Sequence, residues 1–349
     1  MSCLLSLSAV RAAQARTSRR SPWSVYDPVC LPRRPCDAHT RTTPTAKELR
    51  RHDTSLSRYP DLMINWAMAS DLDRVDHHRA STEWVAELWR SEDAKVLKLD
   101  AESRFTTNAG GSKLRMTKPF LPYDSQRHRL LGLLNGSAIF AVETLTEGEV
   151  HDFREVGFQL TDNERDIAAT AAAVTHWHRM EPQCPRCGGA TVVINGGFAR
   201  HCSVCGQDHF PRTDPAVIVA VVDTNDRLLL GGQPTWGNRV SVLAGFVETG
   251  ESLEQAIHRE IGEEVDVTLS DLRYFGSQPW PFPRSLMVAF FGRAEGTNIN
   301  IDTQEIAHAE WYTRDELSAK LDAGELGLPG RSSIALRMIE AWRDGASPL

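Results

Sequence analysis

The sequence predicts a multidomain α+β protein, and three observations carry that reading. An Asn-Gly pair between two apolar runs marks a hairpin in the first half. Two C-x-x-C pairs stand in the middle. A β-branched run and an acidic helix follow them. Composition fits a folded chain: of 349 residues, 41% are hydrophobic and 24% charged. The formal net charge of -7 argues against strong non-specific nucleic-acid binding. No apolar run approaches the roughly 20 residues of a membrane helix.

Residues 1–67 do not read as a fold. They are rich in Arg, Ser, Thr and Pro, and no acid precedes Asp27. A transit peptide has that composition. A secretory signal fits less well, because the apolar run from Leu4 to Val10 has no basic residue before it. A start placed too far upstream is the third reading and the preferred one, with Met63 and Met68 just ahead of the globular pattern. On any of these the segment is expected to be a disordered or non-native extension.

Residues 68–180 are expected to form a small α+β domain. Trp84, Val85, Leu88 and Trp89 mark a helix, and Val96, Leu97 and Leu99 a strand. The hairpin pairs Leu130–Leu134 with Ile139–Val142 across Asn135-Gly136. Thr161 with Glu164 predicts a capping box that opens an Ala-rich helix through about Arg179. Arg154 is a candidate phosphate contact, but a plain surface arginine is the preferred reading.

Residues 181–210 hold Cys184 and Cys187, fourteen residues, then Cys202 and Cys205. This spacing, with Gly188 and Gly206 after the pairs, predicts a zinc ribbon. Four thiolates close a tetrahedral site, so the one zinc is expected to be structural. His201 and His209 are read as surface residues. With Cys3, Cys30 and Cys36 confined to the tail, no disulfide framework is available, and a reducing cytoplasm fits.

Residues 211–345 carry the chemistry. A buried strand is expected at 216–222, a second at 227–230, further strands at 274–275 and 286–291, and another ending at 311–312. Thr313 caps a helix through Leu321, and Ile334 to Trp342 form a last helix. Between them, Leu253, Ala256, Ile257 and Ile261 give a helix one apolar face. Glu260, Glu263 and Glu264 gather on the other. Crowded carboxylates repel unless a hard divalent cation neutralises them. Ala244-Gly245-Phe246 is read as a preceding loop that brings backbone close to a ligand. Arg259 can orient the first carboxylate. No G-x-x-x-x-G-K-[ST] loop occurs.

Gly245, Glu251, Arg259-Glu260 and Glu263-Glu264, in this spacing, resemble the Nudix box. Nudix enzymes cleave nucleoside-linked diphosphates and have an α/β/α sandwich fold, which the surrounding strands suit. The family's usual Gly after the paired glutamates is Asp266 here. Asp tolerates a left-handed backbone better than most residues, so a strained but intact helix end is expected.

The stretch S-Q-P-W-P-F-P-R-S from Ser277 to Ser285 follows ten residues later. Pro279, Pro281 and Pro283 stiffen it as an extended segment that presents Trp280 and Phe282. Aromatic faces of this kind hold a purine or nicotinamide ring, with Gln278, Arg284 and Ser285 as polar contacts. The competing reading is a loop packed on the core with Trp280 buried. The stretch resembles the signature of NADH pyrophosphatases, whose zinc ribbon and small N-terminal domain also match.

That resemblance implies hydrolysis of NADH or NAD to nicotinamide mononucleotide and AMP, removal of NAD caps from RNA, and a homodimer. It implies magnesium or manganese on the Ala244 carbonyl, Glu260, Glu263, Glu264 and Glu305. Glu263 would join the ligands or aid the attacking water. It implies substrate contacts from residues 278–285 and from the backbone of Ala335. Glu251 is assigned to pairing with Arg259. A catalytically weak Nudix-fold module that binds nucleotide or RNA is the alternative, with Asp266 its one support.

Overall fold

The computed structural model describes residues 70–349. The expectations for residues 1–67, and Cys3, Cys30 and Cys36, lie outside the described residues. No helix among the described residues is long and apolar enough to cross a membrane.

The first part is a mixed sheet backed by helices. α1 (Thr82–Arg90) begins at Ser81, whose side chain accepts from the Trp84 N–H. β1 (Lys95–Leu99) runs parallel to β5 (Ser137–Glu143), which pairs antiparallel with β4 (His128–Leu134). Asn135 and Gly136 both have positive φ, 51° and 82°, as a two-residue hairpin turn of this twist requires. β2 (Phe105–Thr106), β3 (Met116–Thr117) and β6 (Val150–His151) complete the sheet. α2 (Phe153–Val156) follows, then α3 (Asp162–Met180), which opens with the Thr161–Glu164 capping box. α3 lays Ile167, Ala168, Ala171 and Val174 on Leu97, Leu99 and Ile139.

The second part is a three-stranded ribbon of β7 (Thr191–Ile194), β8 (Ala199–Cys202) and β9 (Asp208–His209). The Gln126 side chain locks it to the first part, donating to the Val193 carbonyl and accepting from its N–H.

The third part is a six-stranded sheet with helices on both faces. Its strands are β10 (Asp214–Val222), β11 (Leu228–Gly232), β12 (Leu243–Phe246), β13 (Leu269–Trp280), β14 (Ser285–Ala294) and β15 (His308–Tyr312). The order is β13-β14-β10-β11-β15, with β12 also on β10. Strand side chains alternate between faces. Val217, Val219 and Val221 therefore pack on Ala256, Ile257 and Ile261 of α4 (Leu253–Val265). Ile218, Ala220 and Val222 meet Leu317 of α5 (Arg314–Asp322) and Met338, Ile339 and Trp342 of α6 (Ile334–Arg343). This is an α/β/α sandwich.

Two local expectations are corrected. Ala244-Gly245-Phe246 is strand rather than loop: Gly245 pairs with Val217. The proline-bearing stretch is not a free extended segment either. Gln278, Pro279 and Trp280 end β13, residues 281–284 turn, and Ser285 pairs with Trp280 to close a hairpin.

His128 shows how the first core handles a polar ring. It is 1% exposed, stacks on Trp89 at 3.9 Å, and its Nδ1 accepts the Asp124 N–H. Burial pushes its pKa down to about 4. In the unfolded chain the same ring titrates near 6.5. Its contribution is therefore complete above about pH 6.5 and falls as pH drops toward 4. At pH 5 the loss is about 2 kcal/mol. Urea unfolding of wild type and His128→Gln should show a smaller stability drop from pH 7.5 to 5 in the variant. Equal drops would contradict a neutral buried His128.

Candidate active site and metal centre

The site is built around α4. Ser252 caps the helix and Gln255 completes its capping box. Asp266 ends it in the left-handed conformation, φ 58° and ψ 38°, and its N–H donates to the Gly262 and Ile261 carbonyls. The departure at this position thus leaves the helix end intact.

Arg259 ties the segment together. Its Nε and Nη2 donate to both oxygens of Glu251, at 2.7 and 2.9 Å. Nη1 donates to Glu260 at 2.9 Å and to Glu263 at 3.1 Å, and Nη2 also reaches the Phe246 carbonyl at 2.9 Å. The pair with Glu251 is the one the sequence suggested. Arg259, helped by the Glu248 N–H, holds the Glu251 carboxyl down at about 2.

The three helix glutamates do not share one face. Glu264 is 6% exposed, whereas the Glu263 side chain is 62% exposed and turned to Arg259. Successive helix residues lie about 100° apart, so only one of the pair faces the sheet. Burial, then Glu260 and Glu305, push the Glu264 carboxyl up to about 8. Its Oε2 is buried without a hydrogen-bond partner. Burial likewise raises Glu260, and Arg259 opposes it. A Cβ at Gly245 would collide with the Glu260 carboxylate, so a side chain there would displace it. An orphaned buried oxygen among mutually felt carboxylates suits a hard divalent cation.

Glu264 opens into a cavity of about 430 Å³. Ala244, Trp280 and Ala335 line the same cavity. So do Arg154, Trp236, Arg239 and Ser333, of which only Arg154 was weighed from sequence. Arg239 lies 4.8 Å over the Trp236 ring, in a loop between β11 and β12. A Trp and an Arg three residues apart around Gly237, just ahead of the box, were the available signal.

The rest of the proline-bearing stretch does other work. Gln278 is 1% exposed; its amide donates to the Ser332 carbonyl and accepts from the Ile334 N–H. That holds the start of α6, and so Ser333 and Ala335, against the cavity. Arg284 pairs with Asp214 at 2.7 Å and Glu181 at 2.8 Å. Phe282 packs on the core of the first part beneath Arg154, at 4.3 Å, and edge-on to Trp280 at 5.4 Å. Pro281 and Ser285 are buried and Pro283 is exposed. Among residues 278–285 only Trp280 lines the cavity. Gln278 and Arg284 already commit polar atoms to these protein partners and lie outside the cavity lining.

The ribbon gathers Cys184, Cys187, Cys202 and Cys205 with all four sulfurs within 4.8 Å of one another. Among the described residues this is the one set of three or more candidate ligand side chains so closely placed. The Cys205 N–H, with that of Val204, pulls Cys202 down to about 6 against burial. Four sulfurs at these separations fit a closed zinc site. His209 is no bystander: its Nε2 lies 3.1 Å from Cys184 Sγ. His201 pairs with Asp208.

Two family models match the chain: a NUDIX domain over residues 212–328 and an NADH pyrophosphatase zinc ribbon domain over 184–210. The "NAD-capped RNA hydrolase NudC" of Mycobacterium bovis is 36% identical over 289 residues, 77% of this chain and 92% of its own. "Nudix hydrolase 19, chloroplastic" of Arabidopsis thaliana is 35% identical, over 64% of this chain and 53% of its own. The human "NAD-capped RNA hydrolase NUDT12" is 36% identical, over 53% of this chain and 43% of its own. With the box residues held together by Arg259 of α4 and the four sulfurs gathered in the ribbon, the chain belongs to the Nudix hydrolase family, in the branch that carries the NADH pyrophosphatase zinc ribbon.

Proposed function

We propose that the chain hydrolyses the diphosphate of NADH or NAD to nicotinamide mononucleotide and AMP, and removes NAD caps from RNA 5′ ends. The observation that carries this reading is the buried, unpartnered Glu264 carboxylate facing the cavity that Trp280 and Arg154 also line. The names of the M. bovis and human relatives support the choice of substrate.

Glu260, Glu264 and Glu305, with the main chain at Ala244, would hold magnesium or manganese. Such an ion would polarise the diphosphate and acidify water. Arg259 fixes the Glu260 rotamer from one side. Glu263, exposed and sharing Arg259, would join the ligands or aid the attacking water. Arg154 and Arg239 bring positive charge to the diphosphate, and Trp280 and Trp236 offer ring faces. Ala335 and Ser333 line the same cavity from the start of α6. The binding-only alternative gains nothing from Asp266, since the helix end is intact. A homodimer and a reducing, cytoplasmic setting belong to the same reading; the four ribbon thiols are free of disulfides.

Glu264→Gln keeps the shape and removes the ligand charge. Turnover of NADH should fall about a hundredfold or more, with the circular-dichroism spectrum unchanged. Near-normal turnover by the folded variant would sink the assignment.

Trp280→Ala should raise the Michaelis constant for NADH about tenfold to a hundredfold, the worth of one ring stack. An unchanged constant with a large fall in melting temperature would make Trp280 a packing residue.

One zinc per chain is expected by metal analysis, bound by Cys184, Cys187, Cys202 and Cys205 and retained through turnover. Changing both Cys202 and Cys205 to Ser should abolish it. Full zinc in that double variant would contradict the site.

A further inference from the structure

A second cavity, of about 370 Å³, lies where the first part meets the ribbon. It is distinct from the Glu264 cavity and shares no lining residue with it. Arg127 and Arg129 reach it from the start of β4, Arg179 from the end of α3, and Arg200 from β8. Glu143 is the one carboxylate in its lining.

The four guanidinium groups are not equally partnered. Arg200 donates to Thr191 Oγ1, to the Pro182 and Thr191 carbonyls, and to His178 Nδ1 at 2.9 Å. His178 is neutral and buried, with its Nε2 donating to the Gly197 carbonyl at 2.7 Å. Arg179 pairs with Glu143 at 2.7 Å. Arg129 is different: its Nη1 is buried and has no hydrogen-bond partner. Burial, and then repulsion from Arg200, push its pKa down to about 10. Asp124 and Glu143 are close enough to oppose that shift, yet neither accepts a bond from Arg129. Gly197 leaves the room for this side chain, since a Cβ there would collide with it.

A buried donor without an acceptor is costly, and a charged one more so. Two arginines held near each other across a domain joint add repulsion. A tetrahedral oxyanion answers both, because its oxygens accept several N–H donors at once and its charge offsets the excess. A carboxylate has fewer oxygens to offer the donors that Arg127, Arg129 and Arg200 bring to the cavity. We propose that this cavity is a binding site for a phosphate group, held chiefly by Arg129 with Arg127 and Arg200, at the joint between the first part and the zinc ribbon. A free phosphate or the backbone of a single-stranded nucleic acid would supply the same chemistry. The overall charge of -7 makes this a local exception on an acidic protein.

The test uses the full-length, zinc-loaded protein. Binding of inorganic pyrophosphate and of an uncapped, 5′-phosphorylated oligoribonucleotide is measured by calorimetry at constant ionic strength. Wild type is compared with Arg129→Gln and with Arg127→Gln; NADH turnover equal to wild type checks that each variant folds. Saturable binding that weakens about tenfold or more in Arg129→Gln is the expected result. Anion binding in the Glu264 cavity survives both changes, so the difference between proteins reports this site. If Arg129→Gln does not fold, the exposed Arg127→Gln carries the comparison, with a weakening of at least about threefold expected. Tighter binding of the oligonucleotide than of pyrophosphate makes a nucleic-acid backbone the source, and equal binding makes it free phosphate. No saturable binding by wild type, or equal affinities in wild type and the folded variants, would overturn the proposal.

Discussion

The guanidinium of Arg259 is the contact on which the candidate active site depends. It grips both oxygens of Glu251, one oxygen each of Glu260 and Glu263, and the Phe246 carbonyl. Those partners lie on three different pieces of chain: strand β12, the turn after it, and helix α4. A lysine could neutralise the same charges but could not span them, because only a planar fork presents donors in fixed, divergent directions. The consequence is that Glu260 stands in one orientation beside Gly245, where any added side chain would have to displace its carboxylate. Glu264 is left to face the cavity alone, buried and unpartnered.

Assembly of the cavity then follows from how the sheet is used. β10 lends one row of residues to α4 and the other to α6. The cavity collects Glu264 from the first side, Ala335 and Ser333 from the second, and Arg154 from the small N-terminal part. Gln278 connects these, since its amide fastens the start of α6 to the end of β13. Arg284 fastens the same hairpin to Asp214 and to Glu181, beyond the end of α3. Gln278 and Arg284 thus anchor the hairpin, and its Trp280 lines the cavity.

Much of this was legible in the sequence because the signals were local. The Asn135-Gly136 turn, the Thr161–Glu164 capping box, the Thr313 cap and the pairing of Glu251 with Arg259 each need only residues close in the chain. The cysteine spacing was as direct, since two knuckles and a hairpin bring four sulfurs together without help from elsewhere. What stayed hidden depended on distant packing. Helical spacing put Glu263 and Glu264 together, and only the sheet beneath α4 separates a buried carboxylate from an exposed one. Gln278 looked like a substrate contact until its partners, some 54 residues away, were in place. Trp236, Arg239 and Ser333 carried no periodic pattern, and Arg154 was indistinguishable from any surface arginine.

The central claim is that Arg259 organises the carboxylates rather than merely balancing their charge. Steady-state kinetics of Arg259→Lys with NADH tests it most directly, because the charge is kept and the fork is lost. The account predicts that kcat falls about tenfold to a hundredfold, as loss of a group that orients ligands generally causes, while KM changes little and the fold survives. A kcat within about twofold of wild type would contradict it, showing that positive charge alone is enough at this position.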